Sequence, residues 1–158
     1  MANPSGSNPR YQTVSAKKAI ISEGTATRTL REEESGAVCL FDRAAGVVYT
    51  LPAACAVGTE FTFVTAVTIT SNAAKVITGA ATELVVGAIV NTDTDTANAT
   101  LQFPSVVGSS NIAVSMNGTT TGGIIGDVIR FVKVTTTKWS VSGHTLGTGT
   151  VATPFSAS

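Results

Sequence analysis

The chain has 158 residues, ten basic and ten acidic side chains, zero net charge and only 13% charged residues, so it is long enough to bury a core without disulfides or metal. Its basic residues (Arg10, Lys17, Lys18, Arg28, Arg31, Arg43, Lys75, Arg130, Lys133 and Lys138) are scattered and not interleaved with aromatics, which argues against nucleic acid as a partner. No apolar run approaches the ~20 residues that span a bilayer, and the first residues lack the charged-then-apolar pattern of an export signal.

Residues 1–15 are rich in Asn, Pro, Ser and Gly. Pro4 and Pro9 deny a helix or a central strand, so this stretch is expected to be a flexible N-terminal arm. The expected body covers 16–146. Ala19-Ile20-Ile21 reads as a short strand or the entry to one. Thr29-Leu30-Arg31-Glu32 has the spacing of a capping box, which predicts one or two helical turns over Leu30 to Glu34, ended by Gly36. Apolar or alternating runs then follow: 37–41, 47–51 before Pro52, 59–70 with Phe61 and Phe63 on one face, 75–78, 83–86, 88–90, 100–103 before Pro104, 111–116, 127–134 and 138–142. Gly, Asn and Pro separate them, and Asn117-Gly118 is a hairpin-turn dipeptide. Short strands at 8–12-residue spacing predict an all-β protein, a sandwich or a barrel. Residues 147–158 read as a C-terminal tail with Phe155 as an apolar anchor.

Candidate chemistry is sparse. His144 is the one histidine, and it has no Cys, Asp or Glu at ligand spacing. Asn91-Thr92-Asp93-Thr94-Asp95 resembles the opening of a calcium loop, but Thr96 stands where the turn Gly belongs and Gln102 where the bidentate Glu belongs, so a solvated loop tip is expected. The Gly-rich runs 118–123 and 143–149 lack the G-K-[ST] and G-x-G-x-x-G patterns of phosphate loops. Glu32-Glu33-Glu34 reads as a solvated turn. Cys39 and Cys55 are expected to be reduced, buried thiols, consistent with a chain made and kept in a cytoplasm. No catalytic residue, metal ligand or cofactor follows from these patterns. The lone Trp139 is expected in the core or at a subunit interface.

Thr29-Leu30, Ser35-Gly36, Asp42-Arg43-Ala44-Ala45-Gly46, Tyr49-Thr50-Leu51-Pro52-Ala53-Ala54, the 116–127 segment, Lys138-Trp139 and Ala152-Thr153-Pro154-Phe155 together resemble tailed-phage virion structural proteins, in particular capsid decoration (cement) proteins. The resemblance spans about 29–155. It implies an antiparallel β-sandwich body of jelly-roll-like form with an extended N-terminal arm, in a non-enzymatic protein on the virion capsid surface, made in the host bacterial cytoplasm, that binds the major capsid protein as a homotrimer, with no nucleic-acid or membrane partner. Interaction is then expected from the arm (Asn3, Pro4, Pro9, Arg10 and Tyr11) and from Trp139 and Phe155. A tail-fibre or host-receptor-binding β module is the alternative. A glycan hydrolase, which needs two carboxylates in a cleft, is less well matched.

Overall fold

The computed structural model describes residues 17–22, 24–95 and 99–158. Twelve strands follow in chain order: β1 (Ile20–Ile21), β2 (Thr27–Thr29), β3 (Val38–Phe41), β4 (Val48–Thr50), β5 (Glu60–Thr65), β6 (Ala74–Ile77), β7 (Leu84–Asp93), β8 (Thr100–Ser105), β9 (Ala113–Met116), β10 (Val128–Thr135), β11 (Lys138–Gly147) and β12 (Phe155–Ser156). They form a seven-stranded sheet in the order β1-β3-β5-β10-β11-β7-β8 and a five-stranded sheet in the order β12-β9-β6-β4-β2. The two sheets enclose one hydrophobic core, so the expected all-β sandwich is what forms.

The pairing is mixed where an antiparallel arrangement was expected. From β1 to β6 the chain changes sheet at every connection, so β1, β3 and β5 lie parallel in one sheet and β2, β4 and β6 lie parallel in the other. Parallel neighbours need a crossover, commonly a helix. Here a strand of the opposite sheet does that work, which is why no βα alternation is needed. The second half is mostly antiparallel, with β10 against both β5 and β11, and β7 against β8, while β7 and β11 run parallel over ten residue pairs.

Strand alternation sets the core. In β5, Phe61 and Phe63 are buried and Glu60, Thr62 and Val64 face outward. Phe41, Tyr49, Phe63 and Phe131 make a chain of ring contacts at 5.4–5.9 Å, a spacing that favours edge-on and offset packing. The Tyr49 hydroxyl donates to the Leu40 carbonyl at 2.8 Å, so its polar end is satisfied inside the core. Both cysteines are buried free thiols, as expected.

Several local expectations shift. Thr29 ends β2 in an extended conformation and caps nothing. The helical segment is a single 3-10 turn, Glu32–Glu34, and the Glu34 side chain accepts from the Arg31 backbone N–H at 2.8 Å. The runs 83–86 and 88–90 are one strand, β7, continuous through Gly87, whose φ of +123° a side chain would strain. β8 runs through Pro104, which an edge strand tolerates because one row of its N–H groups is unpaired. Asn117-Gly118 does not close a hairpin, because β9 and β10 belong to different sheets. The Asn117 carboxamide oxygen instead accepts from the N–H groups of Thr119 and Thr121 and shapes the loop that crosses between sheets. In the stretch expected to be a tail, β12 pairs with β9 and Phe155 is buried, because its ring completes the core at the edge of the smaller sheet.

Candidate interaction surface

The two sheets differ in width, and the outer face of the wider one is unusual. An antiparallel sheet with one face in water alternates apolar-in and polar-out. Strand register defines the outward rows here. One runs Leu40–Val64–Val128–His144–Val90–Gln102 across β3, β5, β10, β11, β7 and β8. The row beside it runs Ile20–Val38–Thr62–Arg130–Ser142–Ala88–Pro104. Strand β7 turns Leu84, Val86, Ala88 and Val90 outward while Val85 and Ile89 face the core, so over 84–90 it is apolar on both faces. Ile20 is 59% exposed and Val128 41% exposed. A strand that is apolar on both faces is characteristic of a sheet covered on both sides, and contiguous exposed apolar area marks an interaction site.

Charge on this face is limited. Glu60 and Arg130 form an ion pair across β5 and β10, and Lys138 lies at the start of β11. His144 sits within the first row, its Nε2 2.9 Å from the Thr92 hydroxyl. The electrostatics therefore suit close approach of another protein surface more than attraction of a charged polymer.

Of the residues singled out in the sequence, Asn3, Pro4, Pro9, Arg10 and Tyr11 lie outside the described residues. Trp139 is fully buried, with its indole N–H donating to Glu83 Oε2 at 2.9 Å and the Lys133 ammonium 5.0 Å from the ring centroid. Phe155 is 8% exposed. Neither ring is at the surface, so the structure brings none of the described sequence candidates to the outer face. The face was missed because its residues are ordinary valines and leucines. The one available signal was the unbroken apolar run 84–90, where a half-solvated strand would alternate.

Lys133 and Glu83 are also inside. Their side chains are 0% and 4% exposed and 2.5 Å apart. Burial pushes the Glu83 carboxyl up, but hydrogen bonds from Lys133 and Trp139 and the Lys133 charge outweigh it, and the net direction is down. A closed, fully engaged group of this kind holds structure together and leaves no side free for substrate. At the β1/β2 end of the sandwich a cleft of about 410 Å³ opens between Ile21, Ser22, Arg28, Glu33 and Ala37. Arg28 there pairs with Glu34. Among the described residues no group of three or more His, Cys, Asp and Glu side chains is arranged to hold a metal ion, and no helix is long and apolar enough to cross a membrane. No protein-family model, curated protein or solved structure matches the chain.

Proposed function

We propose that this chain is a structural phage protein that decorates the capsid, binding the major capsid protein on the outer head surface and clamping neighbouring capsomers, as a homotrimer. The observation that carries the reading is the outward aliphatic surface of the seven-stranded sheet, centred on Leu40, Val64, Val128 and Val90. A lattice offers many identical sites, so modest contacts of this apolar kind add up to firm attachment through avidity. The zero net charge supports the same reading, since crowded copies on a head do not repel one another. In this reading residues 1–15 act as an arm that reaches a neighbouring subunit.

Three experiments test it. Antibody–gold labelling of intact virions is expected to spread over the head; label confined to the tail or its tip would make the chain a fibre or receptor-binding module instead. Val128→Asp, which puts a charge in the middle of the outward row, is expected to lower occupancy on heads at least tenfold while the purified protein stays folded. Deleting residues 1–15 is expected to weaken attachment without unfolding the body, and unchanged occupancy would remove the arm from the proposal.

A further inference from the structure

At the end of the sandwich where β7 and β11 finish side by side, the inward residues become polar. Asn91 and Asp93 face inward on β7, opposite Thr145 and Gly147 of β11. The stretch expected to be a solvated loop tip is thus largely inside: Asn91 is fully buried and Asp93 is 5% exposed. Neither Oδ1 nor Nδ2 of Asn91 has a hydrogen-bond partner, a costly state for a buried amide that calls for an explanation. The Asp93 carboxylate accepts from the Asp95 backbone N–H at 3.0 Å, and it is in no ion pair among the described residues. Asp95 follows at the strand end, its Oδ2 accepting from the Gly149 N–H at 3.0 Å.

The register brings Asn91 and Asp93 to the same glycine. Gly147 is the cross-strand partner of Asp93, and a side-chain carbon built on it would lie 2.6 Å from Asn91 Oδ1. The amide oxygen therefore stands over the position facing Asp93, in space that only a glycine leaves open. A third carboxylate, Asp127, lies at the same end and is turned to backbone N–H groups of Gly123 (2.7 Å), Ile124 (3.1 Å) and Leu146 (2.8 Å). It adds negative potential without being a ligand. An amide oxygen and two carboxylates at positions 91, 93 and 95, the last just past the end of β7, are the donor set of a hard, oxygen-seeking cation. The flexible geometry suits calcium better than magnesium, which demands a near-ideal octahedron.

We propose that Asn91, Asp93 and Asp95 form a calcium site at the end of β7. The cation satisfies Asn91 Oδ1 and neutralises the buried Asp93 carboxylate, locking the ends of β7 and β11 together. This is a strand-end site, distinct from the helix–loop–helix pattern that the sequence spacing fails to match, and it stands apart from the capsid assignment.

The test uses the full-length protein stripped with EDTA. Calcium chloride titrated by calorimetry is expected to bind one equivalent with a dissociation constant of roughly 10⁻⁴–10⁻³ M, the range of weak extracellular-type sites. At ten times that constant the unfolding midpoint should rise by about 3–6 °C. Asp93→Asn and Asn91→Leu should abolish both signals. Should those variants fail to fold, Asn91→Asp decides: it adds a buried charge, so it is expected to unfold earlier than wild type in EDTA and to gain a larger shift with calcium. Absence of heat and shift in the wild type up to about 10 mM calcium, a calcium response retained by Asn91→Leu, or an equal shift with magnesium chloride would each overturn the proposal.

Discussion

Replacing Lys133 by Met removes the cation from the most enclosed ion pair among the described residues. The Glu83 side chain is 4% exposed, and after the change its carboxylate keeps only the Trp139 indole N–H at 2.9 Å and a long bond from the Ala54 N–H at 3.4 Å. Removing one partner of such a pair costs about 3–5 kcal/mol, because an uncompensated charge is left in a poor solvent. For a chain of this size each kcal/mol moves the midpoint by about 2–4 °C, so a fall of about 6–20 °C is expected. The lone tryptophan, itself fully buried in the cluster, supplies the assay: urea or thermal unfolding followed by its fluorescence. The pH dependence gives the sign. In the wild type the fold holds the Glu83 carboxyl below its ordinary value, so its stabilisation is complete above the unfolded value of ~4.3 and is lost as pH falls through the lower folded one. In Lys133→Met burial is opposed only by the hydrogen bonds from Trp139 and Ala54, so that carboxyl rises relative to wild type and the deficit should shrink on acidification as the group becomes neutral. The double variant Glu83→Gln/Lys133→Met removes both charges but keeps a side-chain oxygen for the Trp139 N–H, so it should recover most of the loss, to within about 1–2 kcal/mol of wild type. A single variant within about 1 kcal/mol of wild type at neutral pH would refute the reasoning.

Gly87→Ala is expected to cost about 3 kcal/mol or more in urea unfolding, since the new carbon would sit 2.1 Å from the Val141 carbonyl oxygen at a φ of +123°. Burial, reinforced by the charge of Glu34, pushes the Cys39 thiol up to about 12, and burial also raises Cys55. Neither should react with a thiol reagent at pH 8 until the protein unfolds, when two equivalents should appear. Asp127→Asn should cost about 1–3 kcal/mol, because an amide cannot accept all three backbone N–H groups. Burial raises the Asp127 carboxyl despite those bonds, so in the wild type this group loses stability as pH rises from ~3.9, opposing Glu83. Removing it should steepen the acid-side loss of stability, measurable by urea unfolding between about pH 3 and 6.

Local pattern carried most of the strand positions. The alternation in 60–65 placed Phe61 and Phe63 inward, and the run 128–134 became β10 because its residues alternate between core and face. The same phase, continued two residues, puts Lys133 inside behind Ile129 and Phe131. That burial was legible in principle, but composition alone made Lys133 one more scattered cation. Gly87 and Pro104 broke strands on paper and not in the fold. Tertiary partners decided both: the Val141 backbone packs against Gly87, and Pro104 lies on an edge. Phe155 looked like a loose anchor because nothing in its polar surroundings announces the β9 edge it pairs with.

The sequence by itself determined that the chain is all β, where most strands begin and end, and which side chains within a strand share a face, because these follow from alternation and turn chemistry over a few residues. Only the tertiary structure decided which strands are neighbours, that the first six wind between two sheets in parallel, that one outer face is aliphatic across several strands, and that Asn91 and Asp93 stand inside beside Gly147. Each of these depends on residues brought together from distant parts of the chain, and hydrogen-bonded pairing between strands leaves no mark on the local pattern of either strand alone.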